Sequence, residues 1–181
     1  MAICAAPVVA AWLAFFVFPP GKLTNYGDFI EAHPLPEVPL ALLDGKPFRL
    51  SELKGRWVML QVDGGACAEA CQAKLYQMRQ VRLTQGREME RIERVWLIDD
   101  TAQLDTMVIR AFDGTRLARA ATSPLLGALT LAGVRGDKDS LRDHIYLIDP
   151  LGNLMMRFPK DADPSRIKKD VERLLRVSRS G

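Results

Sequence analysis

Three observations predict an α/β fold with parallel strand pairing. Apolar runs of strand length, Trp57–Val62 and Arg94–Ile98, alternate with stretches of helical periodicity. Strand, helix, strand, helix in succession implies parallel pairing through right-handed crossovers. A later pair of runs, His144–Ile148 and Asn153–Phe158, is joined by Asp149-Pro150-Leu151-Gly152 and reads as a β-hairpin.

From the start of the chain, Ala2 to Gly21 carries no charge and Ile3 to Phe18 is almost wholly apolar. About 20 such residues span a bilayer as a helix, so residues 1–21 are read as one transmembrane anchor. Trp12 and Phe15-Phe16 suit an interface, and Pro19-Pro20 end the helix before Lys22. The rival reading is a cleaved signal peptide, but a positive n-region and a small-x-small cleavage site are both missing. Lys22, Asp28 and Glu31 then follow without positive excess, which is compatible with the remainder lying outside the cytoplasm. Residues 22–37, with Pro34 and Pro36, read as an extended tether, and residues 38–181 as the folded domain.

The domain opens with two short strands, Val38–Leu43 and Pro47–Leu50, around the turn Asp44-Gly45-Lys46. Ser51–Gly55 is a helical turn closed by glycine, leading into the Trp57 strand. After Cys71, the positions Leu75, Met78, Val81 and Leu83 keep helical spacing, with Lys74, Arg79, Gln80 and Arg82 expected outside. Gly86 marks the end of that helix. The second strand closes on Asp99-Asp100, read as a solvated turn, and a helix is expected from Thr101 to Ala111. Asp113-Gly114-Thr115 is a turn, and Arg116 to Val134, rich in Ala and Leu, is read as helix or loop. Beyond the hairpin, Asp163 and Pro164 suit N-cap and N1 of a closing helix, whose apolar stripe is Ile167, Val171, Leu174 and Leu175. Two early strands, then β-α-β-α, a hairpin and a terminal helix make the thioredoxin-like order with an N-terminal β extension, preceded by one transmembrane helix.

Composition limits the chemistry. A net charge of +3 over 181 residues, with dispersed lysines and arginines, gives no footprint for nucleic acid. Two histidines and three cysteines exclude a multi-zinc or multi-disulfide scaffold. Cys4 lies in the apolar N-terminus, so Cys67 and Cys71 are the one useful pair. They follow a strand and Gly64-Gly65, which puts them on the first turn of the expected helix, where free N–H groups and the dipole favour thiolate. Residues i and i+4 share a helical face, so both sulfurs can converge on one metal ion. Two buried small hydrophobes is the plainer reading. His144 opens the hairpin strand as a candidate ligand, against a strand-edge histidine bonded to backbone, whereas His33 sits among prolines.

The chain resembles the Sco/SenC family of thioredoxin-fold, membrane-tethered copper carriers that help assemble cytochrome c oxidase. The residues carrying the resemblance are Asp44-Gly45-Lys46, Leu53-Lys54-Gly55, the Cys67-x-x-x-Cys71 spacing, Asp99-Asp100 and Tyr146 to Gly152. It departs at Ala68, where the family has proline, and at Leu141, where the family's histidine ligand stands; Asp143-His144 is offered instead. The resemblance implies Cu(I) held by Cys67, Cys71 and His144, since soft Cu(I) favours two thiolates and an imidazole. It implies a copper-site subunit of cytochrome c oxidase as partner, and a single-pass protein of the cell inner membrane with its domain on the periplasmic side. Two other functions stay open: a thiol-disulfide reductase in which Cys67 attacks and Cys71 resolves, and a non-catalytic membrane-tethered interaction domain.

Overall fold

The computed structural model describes residues 25–133 and 140–178. The anchor expected at 1–21 lies outside the described residues; among those described, no helix is long and apolar enough to cross a membrane.

Among the described residues, eight strands form one sheet: β1 Asp28–Pro34, β2 Leu40–Leu42, β3 Pro47–Phe48, β4 Trp57–Asp63, β5 Ile92–Ile98, β6 Arg116–Arg119, β7 Ile145–Ile148 and β8 Asn153–Arg157. Their order is β1-β8-β7-β4-β5-β6-β2-β3. The central strands β4, β5 and β6 are parallel, and the remaining pairings are antiparallel. Among the described residues, four α-helices accompany them: α1 Glu69–Leu83, α2 Thr106–Ala111, α3 Pro124–Gly133 and α4 Pro164–Val177.

Strand alternation divides the core into two layers. Trp57 and Met59 of β4, with Ile145 and Leu147 of β7, face α1 and α4, where Leu75, Met78, Val81, Ile167, Val171 and Leu175 are buried. Val58, Leu60 and Val62, with Tyr146 and Ile148, face the opposite layer, which Leu125 and Leu129 of α3 complete. The thioredoxin-like order, both early strands, the hairpin and the closing helix agree with expectation. Asp163 caps α4 by accepting from the Ser165 N–H at 2.8 Å.

Four expectations need correction. The stretch read as a tether is extended, but Asp28–Pro34 is an edge strand against β8. An edge tolerates Pro34, which has no N–H to place in a ladder. The Asp170 carboxylate of α4 also accepts the Tyr26 and Gly27 N–H groups at 2.7 and 2.9 Å, fastening this segment to the domain. The helix expected from Thr101 begins only at Thr106, capped by Asp105. Arg116–Arg119 is a strand, parallel to β5. Finally, Lys74 does not face solvent, and Leu83 is half exposed.

Candidate functional site

The site lies where β4 ends and α1 begins. β4 is buried at six of its seven positions and ends on Asp63. Gly64 and Gly65 then turn the chain, and both must be small. A Cβ on Gly65 would sit 2.5 Å from the Ala102 carbonyl oxygen, and one on Gly64 would sit 2.3 Å from Asp100 Oδ2. The turn returns the Cys67 N–H to the Gly64 carbonyl at 3.1 Å.

The two cysteines are not the i, i+4 face of one helix. α1 starts at Glu69 with Ala68 as N-cap, so Cys67 precedes the helix, with a left-handed φ of 39°. Cys71 sits in the first turn. This bend brings the Cα atoms to 5.1 Å, within the range a disulfide spans, and Cys67 and Cys71 are bonded to each other. Both are buried, at 3% and 1% exposure, and they pack with Leu75, Trp96 and Ile98. The flanking Ala66 and Ala68 are exposed, which places Cys67 nearer the surface loop. Gln61 of β4 donates from Nε2 to Cys71 Sγ at 3.5 Å, and Gln72 donates to the Cys67 carbonyl at 3.0 Å.

Three carboxylates support this loop, Asp100 and Asp63 directly and Asp99 through Arg142. Asp100 Oδ1 accepts the Gly65 and Ala102 N–H groups at 2.8 and 3.0 Å. The Gly65 bond most of all holds its carboxyl below the ordinary value; the Ala102 bond and the Arg142 and Arg119 charges add to this, while burial opposes it. Asp99 takes a two-pronged contact from Arg142, at 2.8 and 2.7 Å, which raises the Arg142 pKa. Asp63 Oδ1 accepts the Gly64 N–H at 2.9 Å, and its Oδ2 pairs with Lys74 Nζ of α1 at 2.9 Å. Lys74 also donates to the Arg142 carbonyl oxygen. Asp99-Asp100 is therefore part of the support for the cysteine loop.

A folded-state carboxyl below its unfolded value stabilises the protein fully above the unfolded pKa, about 3.9, and loses that contribution as pH falls through the folded value. Asp100→Asn is thus expected to lower the thermal midpoint at pH 6, with the gap to wild type closing below about pH 3.9. Thermal unfolding of both proteins between pH 6 and 2.5 checks this, and a gap independent of pH would assign Asp100 no electrostatic part.

His144 is not brought to the sulfurs. It stands one residue before β7, in extended conformation, so its side chain shares the face of Tyr146 and not that of Ile145. Cys71 packs with Ile145 on the other face. His144 Nδ1 lies 2.7 Å from the Phe158 carbonyl oxygen, and Nε2 lies 3.2 Å from Nη1 of Arg157, whose guanidinium also faces Asp28 at 3.5 Å. Among the described residues, no three His, Cys, Asp or Glu side chains are grouped to hold a metal. The set Cys67, Cys71 and His144 does not fit a copper ion as one site, because the sheet separates its imidazole from its sulfurs. His33 lies in β1 against β8. Cys4 lies outside the described residues.

A family model described as the transmembrane-like, thioredoxin-like C-terminal domain matches residues 57–178. No curated protein matches the sequence. Among solved structures, Arabidopsis thaliana ScoI with copper bound is similar at a TM-score of 0.62 and 17% identity, over 81% of this chain and 100% of that one. The thioredoxin domain of a Bacteroides vulgatus thiol-disulfide oxidoreductase is similar at 0.57 and 15%, over 85% and 99%. BsSco, described as a Sco-family cytochrome c oxidase assembly protein with a disulfide switch, is similar at 0.59 and 13%, over 82% and 97%. At these identities the likeness is one of fold.

Proposed function

We propose, for a chain that belongs to the transmembrane-like, thioredoxin-like C-terminal domain family, that the Cys67–Cys71 pair exchanges with thiols or disulfides of another protein. The observation carrying this reading is the disulfide itself, formed at the start of α1 in a thioredoxin-like fold. In the reduced form, the Cys67 thiolate attacks one sulfur of a partner's disulfide, forming a mixed disulfide and releasing the partner's other sulfur as thiolate. The Cys71 thiolate then attacks Cys67 Sγ, re-forming the internal bond and expelling the second partner thiolate. Two electrons pass to the partner, and another dithiol protein restores the reduced pair. Gln61 supports the resolving step by donating a hydrogen bond to Cys71 Sγ.

Copper fits this reading as cargo. The reduced pair supplies two soft donors of the kind Cu(I) takes, and ScoI is a copper-bound relative in fold. The ligand set would be Cys67, Cys71 and a donor other than His144. The partner in keeping with BsSco is a copper-site subunit of cytochrome c oxidase, whose cysteines must be reduced before metal enters. Residues 1–21 would anchor the protein in the inner membrane, residues 22–27 would leave it, and the domain would work on the periplasmic side.

Redox titration tests the central claim. A structural disulfide resists reduction below about −300 mV, whereas exchanging pairs lie above it. The Cys67–Cys71 pair is expected to reduce in one two-electron step above about −300 mV. A pair still oxidised below that potential would make the bond structural and end the proposal.

A further inference from the structure

The second half of α1 carries Arg79 and Arg82, one turn apart, and the neighbouring strand β5 sends Arg94 beneath them. With Leu83, Asp113 and Gly114 they line an open cavity of about 260 Å³, on the flank of α1 away from the disulfide-bearing first turn. Gly114 has a left-handed φ of 76°, and a Cβ there would come within 3.1 Å of Arg94 Nη2.

The charges in this cavity do not balance. Arg94 is only 5% exposed, and its Nη2 donates to the Asp113 carbonyl oxygen at 2.9 Å. Its Nε and Nη1 are buried without a hydrogen-bond partner among the described residues. Arg79 donates to the Ala111 carbonyl at 2.9 Å, and Arg82 donates to the Ile92 carbonyl at 2.8 Å. All three guanidinium groups thus lean on neutral oxygens. The nearby Glu93 carboxylate is engaged by Arg56 and lies 3.7 Å from Arg116. Asp113 is the one carboxylate in the lining, and its Oδ1 accepts the Gly114 N–H at 2.8 Å. Three guanidinium groups against one carboxylate leave two positive charges. Burial, followed by the Arg82 and Arg79 charges, depresses the Arg94 pKa, with the Glu93 and Asp113 charges opposing less strongly.

We propose that this cavity binds a phosphate-class oxyanion of charge near −2. A phosphate or phosphomonoester carries about −1.5 to −2 at neutral pH, matching the two unbalanced charges. Its oxygens suit the forked donors of Arg79 and Arg82, which a single carboxylate would engage only in part. Seated between them, the anion supplies the countercharge that buried Arg94 lacks. Free phosphate and the phosphate head group of a lipid share this chemistry. The site is independent of the thiol reading, since none of its residues supports the cysteine loop.

The test uses the whole chain. Binding of inorganic phosphate is measured by calorimetry and by thermal midpoint, against chloride at equal ionic strength. Co-sedimentation with phosphatidylcholine vesicles is measured with and without phosphatidate. Saturable phosphate binding, with Kd raised at least tenfold in Arg79→Ala/Arg82→Ala, establishes the site with a soluble ligand. Binding confined to phosphatidate vesicles, and lost in the same variant, establishes it with a lipid head group. Arg79 is exposed and Arg82 half-buried, and each gives up one bond to a backbone carbonyl, so the midpoint of the variant in chloride is measured beside the wild type and any fall there is counted separately from the phosphate effect. The proposal is overturned if neither probe binds, or if the variant binds either one as wild type does.

Discussion

Cys71→Ala is expected to turn a transient encounter into a covalent complex. In the proposed exchange reaction, a mixed disulfide at Cys67 is resolved when Cys71 attacks, and the two residues have their Cα atoms 5.1 Å apart. Alanine at 71 removes the resolving sulfur but leaves Cys67, its left-handed backbone and the loop bonds to Asp100 and Asp63 in place. The adduct therefore accumulates in roughly equal amount with the protein, while exchange turnover falls to background. Cys67→Ser should show neither adduct nor turnover. Loss of the bond itself does not unfold the domain, because closing a loop of about five residues contributes only about 2 kcal/mol by chain entropy. Non-reducing gels with a model disulfide, followed by mass spectrometry, read the outcome. An adduct on Cys71 in Cys67→Ser, with none on Cys67 in Cys71→Ala, would reverse the roles of the two residues.

The sequence made the frame legible because its signals were local. Strand-length apolar runs at β4 and β5, the Asp149–Gly152 turn and the Asp163-Pro164 cap each depend on neighbouring residues, and all are present. What escaped depended on partners distant in the chain. β6 is four residues long with an arginine at either end. Those charges are placed by contacts across the fold: Arg119 donates to the Asp100 and Ala102 carbonyls at 3.2 Å, and Arg116 lies over the Phe48 ring. The cysteine pair was legible as a centre, but its geometry was not. The helix starts two residues after Cys67, and helical spacing no longer governs where that sulfur goes. His144 carried a usable signal. Counting alternation back from Ile145, which had to face α1, puts His144 on the far side of the sheet.

The other large effect concerns Lys74, whose side chain is only 11% exposed although its helix spacing reads as solvated. Its partner could have been suspected from the single carboxylate that ends the apolar β4 run. The pair sits at the hinge of the site: Asp63 accepts the Gly64 N–H, its carbonyl accepts Trp96 Nε1 at 3.2 Å, and Lys74 reaches the Arg142 carbonyl. Asp63→Ala leaves an ammonium buried without a countercharge, a change that costs about 3–5 kcal/mol. In a chain of this size that corresponds to a thermal midpoint roughly 10 °C lower. The double variant Asp63→Ala/Lys74→Met removes the stranded charge as well as its partner, so it should recover most of the loss. Methionine keeps the length of the stem that packs beneath α1. Thermal unfolding of the wild type, both single variants and the double variant closes the cycle. If the double variant loses as much as the two singles together, the ion pair has no coupling, and the role of Asp63 is confined to its bond with Gly64.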